Sequence, residues 1–407
     1  MHNCPEKKFH FILLFLLILL VSNSTISTDI YLPSLPQIAG YFKSSNSLAQ
    51  MSLNFYMLGF ALSMILAGQL ADLFGRKRII ICGITLHLMS TLLCLFAPSI
   101  YFLIFSRFFQ ALGGCCGTVL ARTIVMDNCS PKESVQILSI LSAGMAISLS
   151  AAPMLGGFLQ AHFGWRSCFI FVALYSVTVL FLSLKHIKED KKIQIKFDGI
   201  RKLIQIYTVA FLDKKFLCYT LIISLAWCGY FGFISLSSFV FINSFGLSSK
   251  LYGLLYGITV ISYMAGTMIA RKLARKMEII NSLKVSVIIL SCASLLLLVL
   301  KIINAENLFV VLISIAGYLA GVGLIMPNCQ AGAFLNFKEN LGVISGLFYF
   351  IEMIAATIYG LIINHMPYSF NTMVWLLVSP VIFLCFTYLF LLRASSVSTK
   401  EKLPASG

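Results

Sequence analysis

The chain has 407 residues, of which 59% are hydrophobic and only 11% are charged. A soluble domain carries about 25% charged residues, and no soluble core could bury so much apolar side chain, so the composition predicts a polytopic membrane protein. The net charge of +16 does not indicate nucleic-acid binding, because the cations lie in the loops between apolar segments.

The apolar segments are numerous and long. Each is about 20 residues or more, the length that crosses a bilayer as a helix, so we predict an all-α membrane protein. The first run follows Lys7 and Lys8 but lacks a small-residue cleavage site, and we interpret it as a span and not as a signal peptide. The twelve predicted spans are residues 11–36, 48–70, 78–97, 100–122, 135–160, 165–185, 217–243, 251–271, 279–301, 307–330, 341–363 and 371–393.

Lysine and arginine are concentrated in alternate loops, which is typical of loops on the cytoplasmic side. This asymmetry predicts that both termini and the long central connection are cytoplasmic, with anionic lipid headgroups as possible partners. We predict an N-terminal six-helix bundle at residues 1–185, a cytoplasmic linker at 186–216, and a C-terminal bundle with a short tail at 217–407. The basic segments are Arg76 to Arg78, Lys132, Lys185 to Lys215, Arg271 to Lys276, Lys338, and the tail with Lys400 and Lys402.

The loop after the second span reads Gly68-Gln69-Leu70-Ala71-Asp72-Leu73-Phe74-Gly75-Arg76-Lys77-Arg78. Glycines at both ends allow two helix ends to approach closely, and the three cations hold the turn in the cytoplasm. The run resembles the loop between the second and third helices of the major facilitator superfamily, with Leu73 where an arginine is usual. That resemblance implies the major facilitator fold, with twelve transmembrane helices in two six-helix bundles and the substrate path between them.

The first span contains a carboxylate in apolar surroundings, in Thr28-Asp29-Ile30-Tyr31-Leu32-Pro33-Ser34-Leu35-Pro36. An acid there is costly, which favours a functional role, although an interfacial Asp29 that caps a helix is the alternative. Pro33 removes the hydrogen bond to the carbonyl of Asp29, so the helix should kink or open beside it. The segment closely resembles one in the Bcr/CflA drug-resistance transporters, drug:proton antiporters within the superfamily. The resemblance implies that the acid serves proton coupling and recognition of cationic drugs.

The fourth span carries a second charged group, Arg107, in a segment similar to a superfamily pattern with arginine and glutamine three residues apart. A guanidinium stays charged and can favour the ionised form of a nearby acid. The alternative is an arginine that snorkels to the outer interface. At the end of this span, Arg122 and Asp127 match another segment of the subfamily, with Met126 as a departure. Asp72, Arg76, Arg122 and Asp127 are therefore candidates for a cytoplasmic gate, with Arg76 and Asp127 as an ion pair.

The fifth span contains Ala152-Pro153-Met154-Leu155-Gly156-Gly157. It resembles the antiporter motif of the superfamily, with Ser148 and Ala152 where glycines are usual. Small residues permit close helix packing and proline adds a kink. The residues predicted to kink or pack the helices are Pro33, Gly68, Gly75, Pro153, Gly156 and Gly157.

One candidate does not come from the resemblance. Glu352 lies in the middle of the eleventh span, and it is either a neutral acid hydrogen-bonded between helices or a second proton or cation site. Tyr31, Trp227 and Tyr230 are candidate cavity aromatics, because cation–π contacts suit lipophilic cations.

The function we favour from the sequence is proton-coupled export of amphiphilic or cationic drugs, or of toxic metabolites, across a bacterial inner membrane. Its partners would be the small-molecule substrate, protons and membrane lipid, and the protein would be monomeric. A narrow-specificity facilitator, which exports a siderophore or metabolite or imports a nutrient, is the alternative. An embedded enzyme is disfavoured because the six histidines are scattered and no H-E-x-x-H, G-x-S-x-G or phosphate loop occurs. We predict no cofactor and no metal, since no C-x-x-C pair occurs and most cysteines lie in apolar runs.

Overall fold

The structure is a computed structural model that describes residues 11–187, 199–303, 307–337 and 341–400. Most of the first half of the predicted linker, Lys338 and Lys402 lie outside the described residues. The chain divides into two compact units, Met1–Phe197 and Asp198–Gly407.

The regular elements of the first unit are all helices within its described residues. A 3₁₀ turn, Leu32–Ser34, separates its first two helices. The helices are α1 (Phe11–Asp29), α2 (Leu35–Tyr41), α3 (Asn46–Phe74), α4 (Arg76–Leu95), α5 (Ile100–Asn128), α6 (Pro131–Phe163) and α7 (Arg166–His186).

The second unit repeats this architecture, with one additional short helix at its start. A π-helical turn, Val240–Ser244, follows the second helix of the unit. The helices are α8 (Gly199–Leu212), α9 (Lys214–Phe239), α10 (Ser249–Leu273), α11 (Ile279–Ile302), α12 (Leu308–Phe334), α13 (Leu341–Ile363) and α14 (Phe370–Lys400).

The all-α class and the twelve predicted spans are confirmed. Within the described residues, 12 helical segments are long and apolar enough to cross a membrane, with α1 and α2 together forming the first, Phe11–Tyr41. Large apolar side chains such as Phe105, Leu174 and Phe386 lie exposed on the outer faces of these helices. In water such surface would be unfavourable, whereas in a bilayer it contacts acyl chains.

Most spanning helices begin at a polar capping residue. Ser45, Ser99 and Ser248 each accept a hydrogen bond from a backbone N–H in the first turn of the helix that follows. Each such cap contributes about 1 kcal/mol to helix stability. The turn between α3 and α4 is made by Gly75, whose φ of +92° lies in a region that other residues adopt only with strain. The short loops thus follow from local sequence.

Close helix contacts in both units use glycine. In the first unit, Gly59 of α3 lies against the backbone of Phe108 in α5; in the second, Gly266 of α10 lies against the backbone of Ala320 in α12. These helix pairs occupy equivalent places in the two units, and small residues let their backbones approach. The predicted close approach at Gly68 is wrong for the described residues, because a Cβ added there would meet nothing within 4 Å. Gly68 lies on an open face of α3.

Candidate functional site

The first transmembrane segment is interrupted at the predicted acid. Helix α1 ends at Asp29, and a 3₁₀ turn containing Pro33 precedes α2. Proline donates no hydrogen bond to the carbonyl four residues earlier, which destabilises the α-helix at this point. The predicted opening of the helix beside Asp29 is therefore confirmed. The capping interpretation is wrong, because Asp29 is the last residue of its helix and not the cap at the start of one.

Asp29 is buried and incompletely bonded. Its side chain is 2% exposed, and within the described residues its Oδ2 atom has no hydrogen-bond partner. Buried polar atoms are nearly always hydrogen-bonded, so an exception points to a proton, a water or a ligand that the site accepts. Arg107 lies near enough to interact with this carboxyl electrostatically.

Arg107 is held inside the first unit and does not reach a surface. It is 0% exposed, so the snorkelling interpretation is wrong. Its Nη1 atom donates to the carbonyl oxygen of Ser27 at 3.0 Å and to Oε1 of Gln110 at 2.6 Å. The guanidinium also lies against two aromatic rings, with Cζ 4.6 Å from the ring centroid of Tyr31 and 4.1 Å from that of Tyr56. These contacts stabilise a cation that has been removed from water.

The other guanidinium donors remain available. Nε and Nη2 of Arg107 have no hydrogen-bond partner among the described residues. The site thus combines unused donors on a fixed cation with an unused acceptor on Asp29. Both side-chain atoms of the buried Asn23 also lack partners in the described part of the chain, and its Nδ2 lies beside Gly114. The interior of this unit therefore contains several polar atoms that could bond to water or to a polar ligand.

Sequence reasoning missed His87, an ionisable residue of this network. It is fully buried on α4, and its Nδ1 atom lies 2.8 Å from the carbonyl oxygen of Gln110. Since a carbonyl only accepts, Nδ1 carries a hydrogen. The Nε2 atom lies 3.2 Å from Oγ of Ser27. The available signal was the same as for Asp29: an ionisable side chain in the middle of an apolar span.

Gln110 joins His87 to Arg107. Its Oε1 accepts from Arg107, while its Nε2 donates to Oγ1 of Thr91 at 2.8 Å. Thr91 in turn donates to the carbonyl oxygen of His87 at 2.7 Å. A closed ring of hydrogen bonds therefore connects α4 and α5, and it fixes the guanidinium beside the end of α1. His87 is a positioning residue for Arg107.

Helix α3 completes the surroundings through Tyr56 and Ser52. The hydroxyl of Tyr56 donates to the carbonyl oxygen of Ser24 at 2.9 Å, and the hydroxyl of Tyr31 lies 2.8 Å from Oγ of Ser52. Four helices, α1, α3, α4 and α5, thus converge on Asp29 and Arg107. Tyr31, a predicted cavity aromatic, makes its cation–π contact with the side chain of Arg107.

Helix α6 supports the break in α1 from the other side. A Cβ added to Gly156 would overlap the backbone of Ile30, the residue directly after Asp29. Gly156 thus lies directly against the break in α1, and Gly157 is buried beside it. Pro153 lies inside α6, which is continuous from Pro131 to Phe163.

The candidate gate residues are only partly brought together. Arg76, at the start of α4, forms an ion pair with Asp127, near the end of α5. Asp72 is exposed at the end of α3 and interacts electrostatically with Arg76. Arg122 points elsewhere, with Nη2 3.8 Å from Sδ of Met145 on α6. The pair ties two helices of one unit together, and a gating role stays a prediction.

The second unit contains its own buried acid. Glu352, on α13, is 0% exposed, so it does not face lipid. Neither of its carboxyl oxygens has a hydrogen-bond partner among the described residues, which removes the interpretation of an acid hydrogen-bonded between helices. Its electrostatic neighbours are Cys228 on α9 and Cys329 on α12.

The other two predicted aromatics are packed against rings. The ring centroids of Trp227 and Tyr230 lie 5.0 Å apart at an interplanar angle of 71°. Tyr230 also stacks with Tyr263, and its hydroxyl lies 3.4 Å from that of Tyr256. Their role as cavity aromatics stays a prediction. In the described residues, no group of three or more histidine, cysteine, aspartate or glutamate side chains could hold a metal ion.

Comparison with known proteins decides the family. The sequence profile described as Major Facilitator Superfamily matches residues 16–360, which is most of the chain. The chain belongs to the major facilitator superfamily. This major facilitator protein is a secondary transporter and a multi-pass membrane protein.

Individual relatives agree with this assignment. The protein is 27% identical over 361 residues to the uncharacterized MFS-type transporter YdgK of Bacillus subtilis, covering 88% of this chain and 89% of that one. It is 25% identical over 336 residues to Multidrug resistance protein D of Escherichia coli, covering 82% and 84%. Among solved structures, a bacterial homolog of the human lysosomal transporter Spinster matches with a TM-score of 0.73 and 16% identity, covering 98% and 100%. At that identity the match shows the fold alone.

Proposed function

We propose that this major facilitator protein exports amphiphilic or cationic drugs, or toxic metabolites, in exchange for protons. It would work as a monomer in a bacterial inner membrane, with both termini in the cytoplasm. The similarity to Multidrug resistance protein D and the resemblance of the segment around Asp29 to the Bcr/CflA transporters support the drug class. The observation that carries the proposal is the buried, incompletely bonded carboxyl of Asp29 at the break in α1.

Competition for one negative charge couples the two fluxes. A cationic substrate and a proton both neutralise the carboxylate of Asp29, so the site holds one or the other. Binding of substrate from the cytoplasm releases the proton to water. Proton entry from outside then displaces the substrate, and the proton gradient drives export.

Arg107 increases the difference in cation affinity between the ionised and the protonated state of Asp29. When Asp29 is ionised, the charges of the two side chains sum to zero, and a cation meets no net repulsion. When Asp29 is protonated, the charge of Arg107 remains alone, and it repels a cation in the low-dielectric interior. Protonation therefore both removes the attractive charge and exposes a repulsive one. The fixed position of the guanidinium, set by Ser27 and Gln110, supports this role.

Transport in inverted membrane vesicles tests the proposal. The interior of respiring inverted vesicles becomes acidic, so an exporter accumulates substrate there in exchange for protons. We expect ethidium to accumulate with wild-type protein, to leave when the pH gradient is collapsed, and not to accumulate with Asp29→Asn. Glu133→Gln is the matched control, because Glu133 is an exposed acid that caps α6. Accumulation that ignores the pH gradient, or that survives Asp29→Asn, would contradict proton coupling through this residue.

A further inference from the structure

Glu352 differs from Asp29 in having no cation beside it. Helix α13 packs against α8, α9 and α12, and the titratable groups that interact with Glu352 are the thiols Cys228 and Cys329. Among the described side chains of α8 the one titratable group is Tyr207. Within the described residues, no ion pair involves Glu352. When Glu352 is ionised, no cationic side chain among the described residues forms an ion pair with its carboxylate.

An isolated carboxylate in a protein interior is very unfavourable. In the conformation described, Glu352 is therefore a neutral carboxylic acid. A neutral acid still has one donor and several acceptor sites, yet both oxygens lack partners in the described part of the chain. A purely structural buried acid is normally hydrogen-bonded, so the packing around Glu352 gives no structural reason for this side chain.

Polar atoms without partners also occur on the helix that faces Glu352. On α9, Oγ of Ser224 and Nε1 of Trp227 have no hydrogen-bond partner among the described residues. Ser224 and Cys228 are one helical turn apart and share a face of α9, and Cys228 interacts with Glu352. Cys329, the other neighbour of Glu352, bonds to the backbone of Ile223. These atoms of α9 can therefore form hydrogen bonds to water, or to a transient charge, near the carboxyl of Glu352.

We propose that Glu352 is a second proton-binding site, in the C-terminal unit, that is loaded and emptied during transport independently of Asp29. The proton leaves the carboxyl for water when water or a cation reaches it, and returns to the carboxylate before the site closes again. The role of Glu352 in the transport cycle rests on the proposed function, whereas binding and release of a proton by its carboxyl do not.

Two acids change the charge balance of the cycle. Exchange of one monovalent cation for one proton moves no net charge across the membrane. Exchange for two protons moves one positive charge inward, so the membrane potential then contributes to the driving force. The second site therefore predicts electrogenic export of a monovalent cation.

Infrared difference spectroscopy of the purified protein at two pH values tests the site without any substrate. A protonated carboxyl has a C=O stretch distinct from that of a carboxylate, and buried acids absorb apart from exposed ones. We expect Glu352→Gln to lose one component of the buried-acid signal and Asp29→Asn to lose a different one. Glu133→Gln should leave both. An unchanged buried-acid signal in folded Glu352→Gln would overturn the inference. If Glu352→Gln does not fold, Glu352→Asp should shift that component, and no shift would have the same consequence.

Proteoliposomes loaded to impose either a pH gradient or a potassium diffusion potential test its role. With ethidium, we expect wild-type transport to respond to both driving forces, and Glu352→Gln to respond to the pH gradient alone. Potential-driven transport of equal rate in Glu352→Gln would overturn the second coupling site while leaving Asp29 in place. No ethidium transport in the wild type under either force would contradict the proposed function instead, and the infrared result would then decide the proton site by itself.

Discussion

Arg107 donates a 3.0 Å hydrogen bond to the carbonyl oxygen of Ser27, two residues before Asp29. The residues are 80 positions apart in sequence, yet the bond places a permanent cation beside the one acid that ends α1. Because α1 is interrupted there, the cation and the acid meet where the backbone is open.

Asp29→Asn should abolish proton exchange at this carboxyl while leaving the protein folded. The amide has nearly the volume of the carboxyl but cannot release a proton, so binding of neutral substrates should persist. Proton release on addition of ethidium to detergent-solubilised protein measures this directly. Release from the variant equal to that of wild type would place the coupling proton elsewhere.

Arg107→Lys and Arg107→Ala should separate charge from geometry. Alanine removes the positive charge that favours ionised Asp29, so proton release should require a higher pH, and the pH profile of transport should move upward. It also leaves Gln110 Oε1 without this hydrogen bond, at a stability cost of roughly 1–3 kcal/mol. Lysine keeps the charge but loses the planar contacts, so its profile should stay near that of wild type with a lower rate. If the pH profiles of Arg107→Lys and Arg107→Ala coincided, the charge of Arg107 would have no role in setting the pH dependence.

His87→Asn and His87→Ala test the positioning role. Asparagine can still donate to the carbonyl of Gln110, whereas alanine removes this hydrogen bond and opens a cavity. We expect alanine to cost about 2–4 kcal/mol of stability and asparagine clearly less, as measured by thermal unfolding in detergent. The pH profile of transport should move with alanine and be retained with asparagine. Equal loss in both variants would mean that the imidazole ring itself is required.

Gly156→Ala should destabilise the first unit at the candidate site. Its Cβ would overlap the backbone of Ile30, so α6 must move away from α1, at a cost of about 1–3 kcal/mol. Gly68→Ala is the matched control, because a Cβ there meets open space and alanine favours helix. Thermal unfolding should therefore rank Gly156→Ala below wild type and Gly68→Ala at or above it.

Arg76→Ala should reduce turnover but leave ethidium affinity largely intact, if the pair with Asp127 works in the transport cycle and not in binding. Stability should fall by no more than roughly 1 kcal/mol, because Asp127 is solvent-exposed. Reversal of both charges, Arg76→Asp with Asp127→Arg, should restore part of the turnover. Wild-type turnover in the single variant would remove the gating role.

Much of this protein could be predicted from sequence because the interactions that form its helices act between residues close together in the chain. A helix that crosses a bilayer must satisfy its own backbone hydrogen bonds, so a run of about 20 apolar residues is enough to identify it. The break after Asp29 is equally local, since Pro33 acts on a carbonyl four residues away. Asp29, Arg107 and Glu352 could be singled out one by one, because an ionisable group in an apolar span is conspicuous wherever its partners lie.

The partners themselves were decided only by tertiary structure. That Arg107 bonds Ser27 and Gln110, that His87 joins this network, and that Glu352 has no cation all depend on which faces of different helices meet. The two glycines show the same division: Gly68 and Gly156 are equivalent in sequence as small residues within helices, yet one faces open space and the other the backbone of Ile30. Composition determines that a helix crosses the membrane, whereas the rotation and approach of its neighbours determine what each buried charge contacts.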